Sequence, residues 1–149
     1  MIALTLTCWG FLMESVIGQE APPPAVYTSA QATKGRSAYQ SKTLAAPSDL
    51  ACADCHRDTL LGRDGTSDIP EFLKTMSGTV PPLAGPKFME KWGDRTTQDL
   101  YNRIQIVLPL DEETTLGIIA YILQVNGARP GTKPLTISSP IEIRSVTLK

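Results

Sequence analysis

Histidine and aromatic side chains are scarce in this sequence. Its 149 residues include a single histidine, His56, and the aromatic residues together make up 6%. A close-packed core must therefore rely on aliphatic side chains or on a large apolar group that is not an amino acid. A single histidine also excludes any metal site that needs two imidazole ligands.

Neither sign of charge predominates in the chain. Its 14 basic and 15 acidic residues give a formal net charge of −1. This balance gives no electrostatic basis for binding nucleic acid or an anionic membrane surface, so no nucleic-acid partner is expected. The length suits one domain, since domains commonly have about 100–200 residues.

The apolar run from Ile2 to Met13 is shorter than the roughly 20 residues that a transmembrane helix requires. Val16 and Gly18 follow it, in a pattern typical of the cleavage site of a signal peptide. We therefore expect residues 1–18 to be a signal peptide and the protein to be periplasmic or otherwise exported. The alternative is an apolar N-terminal helix that stays attached. Cys8 lies within the run and not at its end, so no clear membrane anchor is expected.

Composition divides the rest of the chain into three parts. Residues 19–33 are rich in proline and alanine, which predicts an extended linker. Residues 34–131 carry the helical patterns and are expected to form the folded domain. Residues 132–149 alternate weakly between apolar and polar side chains, which predicts an extended C-terminal tail or an edge strand.

Helix signals are strongest in the second half of the domain. Residues 96–99 form a capping box, and the helix that follows is ended by Pro109. Another helix begins near Asp111 and stops at Asn126-Gly127. A short helix is also predicted over residues 35–42. Joined by proline-rich segments, these elements predict an all-α fold of three to five short helices with long Pro/Gly loops.

The motif Cys52-Ala53-Asp54-Cys55-His56 follows the C-x-x-C-H pattern of covalent haem attachment. Two thiols about one helical turn apart add to the two vinyl groups of one porphyrin, and the adjacent imidazole reaches the iron. Cys52 and Cys55 are therefore the expected attachment residues of one haem c, and His56 is the expected iron ligand.

Three other interpretations of the motif compete with haem attachment. A structural zinc site requires about four ligands, and no second Cys/His pair exists in the sequence. A thioredoxin-like redox pair would require a βαβ context, of which the sequence shows no sign. A simple disulfide between Cys52 and Cys55 would not explain why the single histidine of the chain directly follows Cys55.

Around this motif the chain resembles the class I monohaem cytochromes c of bacteria, in particular periplasmic ones associated with quinoprotein dehydrogenases. The resemblance covers residues 35–131. Outside the motif it is carried by Gly35, Tyr39, Ile118, Tyr121, the run Ala120-Tyr121-Ile122-Leu123 before Asn126-Gly127, and Pro81-Pro82-Leu83-Ala84-Gly85. It implies a small cytochrome c fold wrapped round one haem, in which the helix with Gly35 and Tyr39 crosses the helix with Ile118 and Tyr121.

The resemblance also implies roles for residues around the haem. The carbonyl of Pro81 would accept the second N–H of the His56 imidazole, and Leu83 would pack on the haem. Trp92 would donate its indole N–H to a propionate, with plain core packing as the equal alternative. Tyr101 belongs to the stretch that frames the opposite face of the haem.

One position departs from the family pattern. The family has a methionine ligand in Leu-Tyr-x-x-Ile-x-x-x-Met-Pro, whereas this chain reads Leu100-Tyr101-Asn102-Arg103-Ile104-Gln105-Ile106-Val107-Leu108-Pro109. Leucine cannot coordinate iron, so Leu108 leaves the sixth position open, bound to water or filled by another donor. The N-terminal amine, a lysine or a partner's side chain are candidates. Met76 and Met89 are expected to be core residues.

These features predict an electron-transfer protein and not an enzyme. It would carry one electron at a time and exchange it with a redox protein partner, which is a dehydrogenase, an oxidase or a membrane complex. An alternative is a protein that binds or senses CO, NO or peroxide at an open position beside Leu108. In a third interpretation the protein is a haem-bearing structural subunit whose residues 141–149 add to the sheet edge of a partner.

Overall fold

A computed structural model describes residues 22–42, 50–63 and 79–147. This part of the chain is helical, as predicted. Its helices are α1 (Ser29–Gln40), α2 (Cys52–His56), α3 (Pro86–Trp92), α4 (Thr97–Val107), α5 (Glu112–Val125) and α6 (Ile143–Val146). Pairing of extended backbone within it is limited to isolated bridges, which join Thr28 to Gly131, Arg63 to Val80 and Thr96 to Glu142. The described part therefore has one helix more than the upper limit of the prediction.

Side-chain caps begin α4 and α5 at the predicted positions. Thr96 Oγ1 accepts from the backbone N–H of Asp99 at 3.2 Å, and Asp99 Oδ2 accepts from the N–H of Thr96 at 2.8 Å. The Asp99 carboxylate accepts this bond from the Thr96 N–H and a second one from the Thr96 hydroxyl at 2.8 Å, and these two bonds hold the pKa of Asp99 below its usual value. Asp111 caps α5 by accepting from the N–H of Thr114 at 2.9 Å. A cap of this kind typically stabilises a helix by about 1 kcal/mol.

The first helix begins earlier than the sequence predicts. Thr28 is its N-cap, because Thr28 Oγ1 accepts a hydrogen bond from the Gln31 N–H at 3.1 Å. The helix therefore includes residues 29–33, and the predicted linker over 19–33 is too long. The physical reason is the buried face of α1, which consists of Ala32, Gly35 and Tyr39 and so extends upstream of the predicted start.

Two glycines meet where α1 and α5 cross. A Cβ atom added to Gly35 would lie 1.8 Å from the carbonyl oxygen of Gly117 and 2.8 Å from the backbone nitrogen of Ile118. Beside this contact the rings of Tyr39 and Tyr121 meet edge to face, with centroids 5.4 Å apart. The predicted contact between these two helices is therefore confirmed, and Gly117 is the partner that the sequence analysis missed.

Helix α5 lies at the centre of the core. All nine residues from Thr115 to Leu123 are buried. A helix that is buried all round must be covered on every side by other elements. α1 covers one side, and the remaining core includes Tyr27, Leu60, Phe88, Trp92, Leu100, Leu135, Ile143 and Val146. Segments from both ends of the described chain thus enclose one central helix.

The segment before α1 is joined to the segment after α5. The hydroxyl of Tyr27 donates to the carbonyl of Ala128 at 2.7 Å, and the N–H of Gly131 donates to the carbonyl of Tyr27 at 2.6 Å. Thr28 and Gly131 also form a parallel bridge. These bonds fix where the chain enters α1 and where it leaves α5.

The C-terminal segment differs from the extended tail predicted for residues 132–149. Four of its residues form α6, and Leu135, Ile143 and Val146 are buried. Gln31 on α1 holds the segment, because its side-chain amide donates to the Leu135 carbonyl at 3.0 Å and accepts from the Leu135 N–H at 2.8 Å. The weak alternation in the sequence thus reflects a few buried aliphatic side chains along an irregular segment, and not an edge strand.

The backbone of the C-terminal segment is paired within the chain. The N–H of Thr97 donates to the carbonyl of Ile141 at 2.8 Å, and the N–H of Ile143 donates to the carbonyl of Arg95 at 2.9 Å. A sheet edge recruits a strand whose backbone groups are free. The predicted addition of residues 141–149 to a partner's sheet is therefore not supported by the described part of that segment.

Within the described ranges, none of the helices has the length and apolar character needed to cross a membrane. The predicted signal peptide, residues 1–18, lies outside these ranges, as do residues 43–49 and 64–78 on the two sides of the motif segment. Met76 falls in the second of these gaps.

Candidate functional site

The C-x-x-C-H motif forms the short helix α2. The Asp54 carboxylate accepts a bond from the backbone N–H of Ala51 at 2.9 Å, which caps the start of the helix. Residues three apart lie on the same face of a helix, so Cys52 and Cys55 share one face of α2. Both are free thiols. The structure thus presents two thiols on one face of one short helix.

His56 is half-buried, and a single hydrogen bond orients its ring. Nδ1 lies 2.8 Å from the carbonyl oxygen of Pro81, which can only accept, so Nδ1 carries the proton. Nε2 then holds the free lone pair, which is the form of imidazole that binds a metal. Burial lowers the pKa of His56, and the bond to Pro81 opposes this shift only in part. The predicted bond is present, and the ring is neutral at neutral pH.

A close backbone approach brings Pro81 to His56. Arg63 and Val80 exchange both of their backbone hydrogen bonds, at 3.0 and 3.2 Å. Gly62 permits this approach, because its φ is +69° and a Cβ there would lie 2.2 Å from the Val80 carbonyl oxygen. The sequence analysis missed Gly62, since no local pattern shows that positions 62 and 80 are neighbours.

A tyrosine joins the end of α2 to α1. The hydroxyl of Tyr39 donates to the carbonyl of Arg57 at 2.7 Å. Arg57 ends the helix with a φ of 61°, in the left-handed region that only a few residue types adopt readily. The resemblance assigns Tyr39 to the helix crossing, and the structure adds this second role at the edge of the motif.

The two thiols have different surroundings. Burial raises the pKa of Cys52 to about 11, with a smaller contribution from Cys55 and an opposing backbone hydrogen bond. Burial also raises the pKa of Cys55, and the Asp54 carboxylate adds to this shift while the Arg63 guanidinium opposes it. A cation therefore favours the thiolate at Cys55, and no cation among the described residues does so at Cys52.

We expect iodoacetamide to alkylate Cys55 faster than Cys52 in the protein without an attached group. The thiolate is the reacting form, and with a pKa of about 11 roughly one Cys52 side chain in a thousand is ionised at about pH 8. Peptide mass spectrometry over time at several pH values measures both rates. Arg63→Gln should slow Cys55 and leave Cys52 unchanged. Equal rates at the two cysteines in the unchanged chain would contradict this description of the site.

Trp92 is a core residue in this structure. It is 7% exposed and lies on α3, with the side-chain nitrogen of Lys91 5.9 Å and the guanidinium of Arg95 5.5 Å from its ring centroid. Two cations near the face of an indole ring stabilise it modestly. Its burial agrees with the core-packing alternative and leaves the proposed bond to a propionate untested.

The other predicted contact residues are partly covered. Leu83 and Tyr101 are half-buried against the core, and Leu108 is half-buried at the C-cap of α4. Among the described residues, no hydrogen bond or ring contact joins any of these three to His56. The structure thus assembles the half of the site around α2 directly, and it places the remaining residues on elements of the same core.

Met89 lies away from the motif. The hydroxyl of Thr147 donates to its sulfur at 3.8 Å. Met89 also lines a cavity of about 540 Å³ together with Arg144 and Asn126, and neither the cysteines of α2 nor His56 lines this cavity. Met89 is therefore engaged with the C-terminal segment, as expected of a core methionine.

The described residues around α2 bear on the zinc and thioredoxin-like interpretations of the motif. The part of the chain that the structure describes contains no group of three or more His, Cys, Asp or Glu side chains able to hold a metal ion, which removes support for zinc there. It also contains no βαβ unit, so a thioredoxin-like pair lacks its context. What α2 offers is two free thiols on one face and one neutral imidazole with a free Nε2.

Comparisons with protein-family models, with curated proteins and with solved structures find no match to this chain. Its chemistry must therefore be inferred from α2 and from the segments that hold it.

Proposed function

We propose that the protein binds one haem c through Cys52 and Cys55 and carries single electrons between protein partners. The observation that carries the proposal is the hydrogen bond of 2.8 Å from His56 Nδ1 to the Pro81 carbonyl. This bond orients the imidazole next to two free thiols and leaves Nε2 for a metal. A zinc site has no support among the described residues, which contain no group of three or more His, Cys, Asp or Glu side chains able to hold a metal ion.

Four residues of α2 and its neighbouring loop would hold the haem in this function. Cys52 and Cys55 hold the group through two thioether bonds, so that it cannot dissociate. His56 binds the iron through Nε2, and the Pro81 carbonyl keeps the ring oriented and raises its basicity. The haem supplies an iron that cycles between Fe(II) and Fe(III).

Incompletely covered apolar side chains support the binding of a large apolar group. Those that pack against the core and remain partly exposed include Cys52, Ala53, Leu83, Tyr101 and Ile104. Leu61 is 62% and Ile106 is 75% exposed. Covering such surface contributes about 25 cal/mol per Å². A haem or a partner protein that covered these side chains would therefore bind with a favourable apolar contribution.

The redox partners would be proteins of an exported electron-transfer chain. The protein would exchange electrons with a dehydrogenase, an oxidase or a membrane complex, as an electron-transfer protein and not as an enzyme. It would do so in the periplasm or another exported compartment, because residues 1–18 have the pattern of a signal peptide.

Expression of the full chain in a bacterium with a cytochrome c maturation system tests the proposed function. We expect one haem that stays with the chain in a denaturing gel and has the pyridine haemochrome spectrum of a doubly attached haem. Cys52→Ala and Cys55→Ala should each shift that spectrum to the form with one remaining vinyl group. The double variant should carry no covalent haem.

Cys8→Ala is the matched control, since Cys8 is the only cysteine outside the motif. This variant should carry as much haem as the unchanged chain. The proposed function is wrong if the unchanged chain is folded but carries no covalent haem in cells that mature a reference cytochrome.

A second candidate function is the binding of CO, NO or peroxide at an open iron position. Leu108 favours it, because this residue lies at the C-cap of α4 where the resembled family has its methionine ligand. The leucine side chain offers no donor, and Met89, the methionine within the described ranges, is bound to Thr147. The two functions share the attachment at α2 and differ in what fills the sixth position.

A further inference from the structure

Asn126 joins the end of α5 to the loop that carries Pro81. Its Nδ2 donates to the Leu83 carbonyl at 2.9 Å and to the Ile122 carbonyl at 2.8 Å. Its Oδ1 accepts from the Gly85 N–H at 3.0 Å. Both N–H groups and the oxygen of the side-chain amide are therefore in use, and two of the three bonds hold the loop.

The same loop is held from its other side by the segment that follows α2. The N–H of Leu83 donates to the carbonyl of Leu60 at 2.7 Å, and Val80 is paired with Arg63. Pro81 lies between these anchors, and its side chain is exposed. Because little packing surrounds Pro81, the position of its carbonyl depends on the bonds of its neighbours in the loop.

The backbone of Gly85 is shaped for the bond to Asn126. Its φ is +79°, a backbone conformation that residues other than glycine rarely adopt. A Cβ there would meet nothing within 4 Å. Space is therefore not the reason for a glycine at this position. The backbone conformation is the reason, and it accompanies an N–H that donates to Asn126 directly before α3 begins.

We infer that Asn126 is a positioning residue for His56 and that it acts through the carbonyl of Pro81 on the basicity of the iron ligand. The inference rests on the proposed function, since it concerns the ligand of a bound haem. Without the amide, the loop loses two of the bonds that hold it, its position is less fixed, and the Nδ1–H bond of His56 weakens. A weaker bond makes the imidazole a poorer donor, which stabilises Fe(III) less and raises the reduction potential.

The test compares the haem-loaded full chain with Asn126→Ala and Asn126→Asp. Aspartate keeps the size of the side chain and the acceptor for Gly85 but loses both donated bonds. The readouts are the reduction potential from a spectroelectrochemical titration and the solvent exchange rate of the His56 Nδ1–H proton from NMR of the reduced protein. We expect a higher potential in Asn126→Ala, and exchange about fivefold faster in both variants, as for the loss of roughly one hydrogen bond.

Gln31→Ala is the matched control. Gln31 also holds an irregular segment through its amide, with one bond donated to Leu135 and one accepted from it, and it has no bond to the loop with Pro81. This variant should lower the stability of the protein as Asn126→Ala does, and it should leave the potential and the exchange rate unchanged. If Asn126 had a merely structural role, Asn126→Ala and Gln31→Ala would be alike in stability, in reduction potential and in exchange rate.

Two results would overturn the inference, and they are distinguishable. If the Asn126 variants carry haem and match the unchanged protein in potential and exchange rate, the inference is wrong and the proposed function stands. If the unchanged chain attaches no haem, the proposed function fails and the inference fails with it. Should Asn126→Ala not fold, the exchange rate of the His56 Nδ1–H proton in the isosteric Asn126→Asp gives the comparison.

Discussion

Gly35→Val is expected to destabilise the fold strongly. A Cβ at this position would lie 1.8 Å from the Gly117 carbonyl oxygen, and both groups belong to helix backbones that cannot rotate away. α1 and α5 would have to separate, which also parts the rings of Tyr39 and Tyr121. An oversized side chain in a core lowers the free energy of unfolding by about 1–3 kcal/mol when neighbouring side chains can move. Because backbone is in the way here, we expect Gly35→Val to lower it by at least about 3 kcal/mol. Total stabilities are typically only about 5–15 kcal/mol.

Urea unfolding followed by far-ultraviolet circular dichroism measures the effect of this substitution. Ser37→Val is the control, because Ser37 is an exposed residue of the same helix and receives the same new side chain. It should unfold close to the midpoint of the unchanged protein. Equal midpoints for Gly35→Val and Ser37→Val would show that the two helices do not meet at Gly35.

Leu108→Met is expected to weaken CO binding in the reduced, haem-loaded protein. The resembled family has its sixth ligand at this position, and a thioether there would compete with CO for the iron. We expect the apparent CO affinity to fall at least about tenfold, which corresponds to about 1.4 kcal/mol. A methionine ligand also raises the reduction potential, so both quantities should change together. Optical titration with CO and a spectroelectrochemical titration measure them.

Leu110→Met is the control for this substitution. Leu110 lies two residues further along and is packed against the core, so it receives the same side chain at a neighbouring position. It should leave CO affinity and potential unchanged. If the unchanged protein already fails to bind CO, another donor fills the sixth position and the second candidate function is wrong.

The sequence predicts those parts of the fold that depend on neighbouring residues. The cap of α4 by Thr96 and Asp99 needs only four consecutive residues, and the structure contains both of its reciprocal bonds. The start of α1 at Thr28 is missed, because prolines and alanines upstream resemble a linker. The packing of Leu135 is missed as well, since its partner Gln31 is 104 residues away.

Within the site, too, the sequence predicts what depends on neighbouring residues and misses what depends on distant ones. The two cysteines and His56 form a local motif, so composition and spacing identify them. The bond to Pro81 was predicted only through the resemblance to a family, because the two residues are 25 positions apart. Gly62 and Asn126 were not predicted to act at the site, since their importance lies in bonds and close approaches to distant backbone.

The bonds from Tyr27 to Ala128 and from Gln31 to Leu135 span 101 and 104 residues, respectively. They restrict the order in which the domain can be completed as the chain is synthesised from its N-terminus. A nascent chain that has not yet reached Gly117 gives Gly35 no surface to pack against. The C-x-x-C-H motif therefore emerges well before its surroundings can close, and its two thiols are accessible during that interval.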